Sequence, residues 1–361
     1  MPRKTASSTR SSRWLRRGLL VLVLLGMFLA TVFAGITFVQ ARAMTHYAPV
    51  SIRTTQLAEN SGPRMWRLLL SGPAVRRQSN TRTPEDFGMR FSTTKVRGAH
   101  DLELEIWRVR GRPGVPRVMM FPGYGASKDT LLHAARELNE YGCEMWLVDF
   151  HGIGGSEGAI TSVGYHEATD VTAAVREADR EFNRDRPLVV YGVSMGAAAS
   201  LRAAAVGDVH PDGMILECPF DRLARTIGNR FALLGLPSAP FGSAVAFWAG
   251  VQQGFNGLAH NPVDYARYVR CPTLLLQGGR DDSVGFDAVG EVAGSLGERG
   301  TFQLIPEAGH SYLVLKARET WRRSVHQFLA RISSRDLENS RAQVLHVPVS
   351  PKNALASLAE K

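Results

Sequence analysis

Gly192-Val193-Ser194-Met195-Gly196 lies between a short apolar run and an alanine-rich segment. The apolar run, residues 187–191, contains two adjacent valines and predicts a strand buried on both faces, whereas residues 195–205 predict a helix of small side chains. Glycine on each side of the serine removes the Cβ clashes that a sharp strand-to-helix turn would otherwise produce. This setting predicts that Ser194 is presented on a strained turn as a nucleophile.

The same five-residue pattern recurs as Gly154-Gly155-Ser156-Glu157-Gly158. It follows the strand-like run at 143–150 only after a glycine-rich interval, and no helical pattern begins directly behind it. We therefore interpret this second copy as a loop.

A nucleophilic serine needs a base, a group that orients the base, and donors for the oxyanion. His310 is the candidate base, because it lies in a loop directly after the strand-like run 301–305 and far along the chain from Ser194. An imidazole in that position can reach the edge of a sheet.

The orienting carboxylate is expected in the loop after the buried-strand pattern at 272–276. Asp281 and Asp282 compete there, and either could instead cap the helix that begins near Phe286, where the helix dipole favours an acid. Asp221, which follows the preceding strand pattern, is a third candidate.

The oxyanion donors are expected to be backbone amides. Residues 118–121 read as a central strand that ends in Pro122-Gly123-Tyr124-Gly125, where glycine lets the amides turn inward. We assign one donor to the amide of Tyr124 and the other to the amide of Met195, directly after the nucleophile.

In the chain order Ser, Asp, His, these residues resemble the α/β-hydrolase superfamily over about residues 85–332. Within it, the chain is most similar to the bacterial branch of serine aminopeptidase-like or monoacylglycerol-lipase-like hydrolases. Residues 149–156, Asp-Phe-His-Gly-Ile-Gly-Gly-Ser, resemble the Asp-x-x-Gly-x-Gly-x-Ser loop common after the fourth strand of that family. The chain departs from the commoner pattern by having Phe121-Pro122-Gly123 where many members have His-Gly.

The resemblance implies a triad of Ser194, Asp281 and His310 that hydrolyses an ester, thioester or amide through an acyl-enzyme. It favours Asp281 over Asp282, because the family usually places its carboxylate three residues before the valine of this turn. It also implies the α/β-hydrolase fold, a mostly parallel sheet with helices on both faces. The strand-like and helical patterns that alternate from residue 117 onward agree with such a sheet, and residues 90–96 and 102–109 predict an antiparallel hairpin before it.

An insertion at about 221–270 corresponds in this fold to a short helical cap over the active site. It is rich in aromatic and aliphatic residues, and its only acids are Asp221 and Asp264. An aminopeptidase needs a carboxylate for the substrate ammonium, so the cap favours an esterase or lipase that holds an apolar acyl group. The alternatives are a peptidase or thioesterase of the same fold, aromatics that only pack the insertion onto the sheet, and a non-catalytic membrane-anchored binding module.

The amino-terminal region predicts a membrane segment. Gly18 to Val39 is free of charge and is about 33 Å long as a helix, enough to cross a hydrocarbon core of about 30 Å. Six basic residues and no acid precede it, so the tail at 1–17 is expected in the cytoplasm and the catalytic domain in the periplasm or outside the cell. We favour an uncleaved signal anchor at 18–40. The alternative is secretion after cleavage at Ala41-Arg42-Ala43.

The remaining features exclude several other classes. The net charge is +10, and most of it belongs to the amino-terminal tail, so nucleic-acid binding has little support. No dinucleotide or phosphate-loop pattern is present, and we expect no cofactor and no metal. Cys143, Cys218 and Cys271 are expected to be buried thiols. Residues 41–84 are expected to be a linker and residues 333–361 a weakly ordered tail.

Overall fold

The computed structural model describes residues 8–48, 68–182, 186–207, 209–310 and 313–333. These contain one eight-stranded sheet in the order β1-β2-β4-β3-β5-β6-β7-β8, in which β1 and β2 are antiparallel, β2 and β4 are antiparallel, and the other neighbours are parallel. The strands are β1 Phe91–Arg97, β2 Glu103–Val109, β3 Arg117–Phe121, β4 Glu144–Val148, β5 Leu188–Val193, β6 Gly213–Glu217, β7 Thr273–Gly278 and β8 Gly300–Ile305. The predicted mostly parallel sheet and its antiparallel hairpin are confirmed.

Helices cover both faces of the sheet. They are α1 Ser8–Thr45, α2 Leu132–Tyr141, α3 Glu167–Phe182, α4 Met195–Val206, α5 Leu223–Ala232, α6 Ser238–Gln253, α7 Pro262–Ala266, α8 Phe286–Leu296, α9 Leu313–Lys316 and α10 Arg318–Ser333. One apolar core joins the sheet to α3, α4 and α8, and a second joins its opposite face to α2 and α10. The continuous apolar runs of the central strands follow from this, because a strand covered on both sides has no face for polar residues.

The amino-terminal helix extends further than its apolar stretch. α1 contains one stretch, Trp14–Thr45, that is long and apolar enough to cross a membrane. Its last turns and the residues directly after them are part of the domain: Ala41, Met44 and Tyr47 are buried in the core, and the Gln40 side-chain amide donates hydrogen bonds to the carbonyls of Leu68 and Leu69 at 2.6 and 2.7 Å.

The structure therefore differs from the linker predicted at 41–84, because residues 41–48 pack on the domain. The sequence does not indicate this packing, because polar residues interrupt the segment and the partners of its apolar side chains lie far along the chain. Residues 8–17 of the predicted amino-terminal tail belong to α1, whereas residues 1–7 and 334–361 lie outside the described residues. Cys143, Cys218 and Cys271 are buried free thiols, and burial raises the pKa of each.

A buried ion pair joins the loop after β4 to α3. Nδ1 of His151 lies 2.6 Å from the Asp170 carboxylate, and both side chains are almost fully buried, with Glu167 nearby. Burial alone would lower the pKa of His151, but the hydrogen bond with Asp170 and the negative charges of Asp170 and Glu167 raise it to about 9.

This pair predicts a pH dependence of stability. Because the pKa of His151 is raised on folding, its contribution is complete below the unfolded-state pKa of 6.5 and is lost as the pH rises through about 9. His151→Gln should therefore destabilise the protein at pH 6, and the difference from wild type should shrink by about 3 kcal/mol by pH 9.5. Urea denaturation in detergent measures the free energy of unfolding of each protein at both pH values. His133→Gln is the control, and an equal change with pH in that variant would show that the effect does not come from the pair of His151 and Asp170.

Candidate active site

Ser194 occupies the turn between β5 and α4 in a strained conformation, with φ 51° and ψ −109°. The flanking glycines are required by close backbone contacts. A Cβ at Gly196 would lie 2.4 Å from the Phe121 carbonyl oxygen, and one at Gly192 would lie 2.6 Å from the Gly196 backbone. The turn is therefore compressed against the end of β3, and its serine projects at the carboxyl edge of the sheet.

The structure brings Ser194, His310 and Asp281 together from three separate loops. Nε2 of His310 lies 2.9 Å from the Ser194 hydroxyl oxygen, and Nδ1 lies 2.8 Å from Oδ2 of Asp281. An ionised carboxylate only accepts hydrogen bonds, so Nδ1 carries the proton and Nε2 accepts from the serine hydroxyl. This is the arrangement in which an imidazole can take the serine proton.

The Asp281 carboxylate is held by several donors. Its Oδ1 accepts from the amides of Ser283 and Val284 at 2.9 and 2.8 Å, and its Oδ2 accepts from the Gln277 side chain at 3.1 Å. Burial would raise the pKa of Asp281, but the hydrogen bond from His310, the electrostatic attraction of that side chain and the two amides lower it below its ordinary value. The carboxylate therefore stays ionised beside the imidazole.

The other two candidate acids lie in different surroundings. Asp282 is exposed. The Asp221 carboxylate is buried and pairs with Arg222 and Arg225, each at 2.7 Å. Of the three carboxylates, Asp281 is the one that contacts His310.

The turn after β3 lies directly beside the serine. A Cβ at Gly123 would be 3.6 Å from the Ser194 Cβ, which is ordinary contact distance. Among the described residues, no group accepts a hydrogen bond from the backbone amide of Tyr124 or of Met195. The Tyr124 hydroxyl donates to the Met44 carbonyl at 2.6 Å, so the last turn of α1 supports this turn.

The second Gly-x-Ser-x-Gly copy lies in a loop, where its serine is buried. The Ser156 hydroxyl donates to the Asp149 carbonyl at 2.7 Å and accepts from the Glu105 amide at 2.9 Å. The Asp149 carboxylate in turn accepts from the amides of Lys128 and Gly155 and forms an ion pair with the buried Lys128 ammonium. These hydrogen bonds fix the conformation of the loop, and the Ser156 hydroxyl both donates and accepts within it.

Cys218 is a residue of this site that the sequence patterns do not indicate. It follows β6, which lies between β5 and β7, and it has a positive φ of 48°. Its Sγ, a carboxylate oxygen of Asp281 and a ring nitrogen of His310 lie within 4.8 Å of one another. These atoms are of types that can bind a metal, but the carboxylate and imidazole are already hydrogen-bonded to each other. The expectation that no metal binds stays a prediction.

Helices α5 and α6 form the insertion beside the site. The Arg230 guanidinium lies 5.3 Å from the centre of the Tyr124 ring, and the Asn229 amide donates to the Ser283 carbonyl at 3.4 Å. Several aromatic residues of the insertion pack among themselves or on neighbouring helices, as Phe231 and Phe241 do with ring centres 4.9 Å apart. For these residues the packing alternative applies, and they do not argue for an acyl pocket.

Comparison with known proteins agrees with this architecture. The family described as "Serine aminopeptidase, S33" matches residues 115–269. The chain is 27% identical over 194 residues to the uncharacterized protein YqkD of Bacillus subtilis, which covers 53% of this chain and 63% of that protein. It is 25% identical over 169 residues to an uncharacterized membrane protein of Saccharomyces cerevisiae, covering 46% and 59%. The chain thus spans about three fifths of the length of these relatives.

Solved structures show the same fold. The Pyrococcus furiosus esterase Pf2001 superposes with a TM-score of 0.58 at 22% identity, over 71% of this chain and 96% of that one. The α/β hydrolase GrgF of Penicillium superposes with a TM-score of 0.54 at 20% identity, over 68% and 99%. With the sheet order, these similarities show that the chain has the α/β-hydrolase fold.

The compressed turn predicts a strong effect of one methyl group. Gly196→Ala should destabilise the protein and prevent the backbone from adopting the strained turn, because the added Cβ would overlap the carbonyl oxygens of Phe121 and Pro122. Gly290→Ala is a matched control in the exposed middle of α8, where a Cβ meets nothing within 4 Å. It should stabilise by about 1 kcal/mol. Thermal unfolding measures both, and equal melting temperatures for the two variants would contradict the steric argument.

Proposed function

We propose that this chain is a serine hydrolase that cleaves acyl esters, with Ser194 as nucleophile, His310 as general base and Asp281 as the orienting acid. The observation that carries the proposal is the pair of hydrogen bonds that joins these three side chains, 2.9 Å from Ser194 to His310 and 2.8 Å from His310 to Asp281. The α/β-hydrolase fold supports it, because that fold presents a nucleophile at the same turn.

The reaction follows from the positions of the donors. As the Ser194 oxygen attacks the acyl carbonyl, His310 takes the hydroxyl proton on Nε2, and Asp281 stabilises the imidazolium through Nδ1. The amides of Tyr124 and Met195 are assigned to the oxyanion. His310 then gives its proton to the departing alcohol, and an acyl-enzyme remains. Water that loses its proton to the same imidazole releases the acid and restores the serine.

The choice of an ester over a peptide rests on the insertion. Between Asp221 and Asp264 the chain carries no acid, and the buried Asp221 carboxylate is paired with two arginines. A substrate ammonium would have no carboxylate there to bind. A thioester makes the same demands on the triad as an ester, so a thioesterase remains the nearest alternative reaction, and a non-catalytic membrane-anchored module the alternative class.

The proposal predicts covalent labelling at one serine. Wild-type protein should react with a fluorophosphonate probe, and Ser194→Ala should not, while both melt at similar temperatures. Asp281→Asn should slow labelling by about 10³-fold or more, because the imidazole loses the partner that fixes its tautomer. Asp282→Asn is the matched control and should label within about twofold of wild type, since its side chain is exposed and apart from His310.

Two results would contradict the proposal. A folded wild-type protein that does not label favours the non-catalytic module. Labelling that survives in Ser194→Ala places the nucleophile elsewhere. A panel of acyl esters, thioesters and peptide amides then distinguishes the reaction types.

We also propose that α1 is retained as a membrane anchor with its amino terminus in the cytoplasm and the catalytic domain on the other side. Cleavage after Ala43 would remove Ala41 from the core and would break the hydrogen bonds from Gln40 to Leu68 and Leu69. The uncharged stretch and the preceding arginines support both the span and its direction.

The anchor proposal predicts the form of the mature protein. Protein from the native membrane should stay with the membrane after alkaline carbonate extraction, because an apolar helix of this length is held by the hydrocarbon core. Intact-mass measurement should find the residues before Met44 still attached. A soluble protein that begins at Met44 would show that the segment is a cleaved signal peptide.

A further inference from the structure

The insertion is in direct contact with α1. The rings of Phe33 and Phe241 lie with centres 5.0 Å apart, and those of Phe38 and Trp248 lie 5.4 Å apart. The Gln252 side chain also donates to the Phe38 carbonyl at 3.0 Å. Residues later in α1 contact residues later in α6, so the two helices run parallel. The amino end of α6 therefore lies on the side of the amino end of α1.

The depth of these contacts follows from helix geometry. Arg17 is the last charged residue before the uncharged stretch of α1. At 1.5 Å per residue, Phe33 lies about 24 Å further along the helix and Phe38 about 32 Å further. A hydrocarbon core is about 30 Å thick, so a helix that crosses it with Arg17 at one boundary holds Phe33 inside the core and Phe38 near the far boundary. Phe241, at the amino end of α6, contacts Phe33 and lies at a similar depth.

The surface of α5 and α6 suits that position. No Asp, Glu, Lys or Arg occurs from Phe231 to Val263. Leu233, in the turn between the two helices, is 69% exposed, and on α6 Phe247 is 47% and Val251 57% exposed. Large apolar side chains gathered on one exposed surface mark a site of contact with a membrane or a partner. Here the surface is continuous with a helix that itself has the length and composition to cross a membrane.

We propose that the turn between α5 and α6, with the exposed face of α6, inserts into the membrane leaflet that holds the carboxyl-terminal half of α1, and that the substrate is an acyl lipid of that leaflet. The substrate half of this proposal rests on the proposed function. The distance from this leaflet to the candidate site is short. Met44 lies six residues beyond Phe38 and so about 9 Å further out along α1. Its carbonyl accepts the hydrogen bond from Tyr124, whose turn lies beside Ser194. The turn beside Ser194 therefore lies just above the boundary at which lipid ester groups lie.

The docking half can be tested without catalysis. Full-length Leu233→Cys, labelled with an environment-sensitive fluorophore and placed in nanodiscs of phosphatidylethanolamine and phosphatidylglycerol, should show blue-shifted emission that doxyl-labelled lipids quench. The three native thiols are buried and should not label. Glu298→Cys is the control, because it precedes β8 at the amino edge of the sheet, opposite the site, and its emission should stay unquenched.

Each other outcome of this measurement overturns the docking proposal. Emission from position 233 that stays red and open to an aqueous quencher means that the surface faces water. Blue-shifted emission that doxyl lipids do not quench means that a second copy of the chain or another protein covers it.

The substrate half is tested with two esters that share a leaving group. Leu233→Glu combined with Phe247→Glu should reduce hydrolysis of 4-methylumbelliferyl oleate in nanodiscs at least tenfold, and should leave hydrolysis of soluble 4-methylumbelliferyl acetate within twofold of wild type. Equal losses on both esters, or no loss on either, would overturn the lipid assignment. If wild type hydrolyses neither ester and does not react with the fluorophosphonate probe, the proposed function fails, whereas the fluorescence result still decides the docking.

Discussion

The candidate site depends on the close approach of two backbone segments, the end of β3 and the first turn of α4. Gly196 lies so close to the carbonyls of Phe121 and Pro122 that no side chain fits between them. This contact fixes Ser194 in its strained conformation and places the turn of Tyr124 beside it. Because the segments belong to adjacent parallel strands, the same contact that closes the turn also brings the serine and the neighbouring amides to one edge of the sheet.

Much of this arrangement could be predicted from the sequence. Apolar runs covered on both faces give a strong strand pattern, and a serine between glycines at a strand-to-helix boundary is typical of a nucleophile turn. His310 is separated from Ser194 by 116 residues, but the order β5-β6-β7-β8 brings the loops after these strands to a common edge. Position after a strand was therefore sufficient to select it. The roles of these residues in a reaction remain proposals.

Other features could not be predicted from the chain alone. Asp281 and Asp282 are adjacent and chemically identical, and only the course of the loop decides which carboxylate turns to the imidazole. Cys218 has no motif, since its place depends on β6 lying between two other strands. The packing of residues 41–48 on the domain could not be predicted, because Arg42, Thr45 and His46 interrupt the apolar pattern and the partners of Met44 and Tyr47 lie far along the chain. In sequence, the aromatic residues of the insertion are equally compatible with an acyl pocket and with a packed helix pair, and only their ring contacts distinguish the two.

The hydrogen bond between the Tyr124 hydroxyl and the Met44 carbonyl has one further consequence. It ties the carboxyl-terminal end of α1 to a loop that lies beside Ser194, so this helix and the candidate site are mechanically coupled. Cleavage of the chain on the carboxyl-terminal side of Met44 would separate a carbonyl and a phenol that now satisfy each other, and it would remove part of the support beneath that loop. A version of the domain without α1 would therefore hold the turn beside Ser194 less firmly than the full chain does.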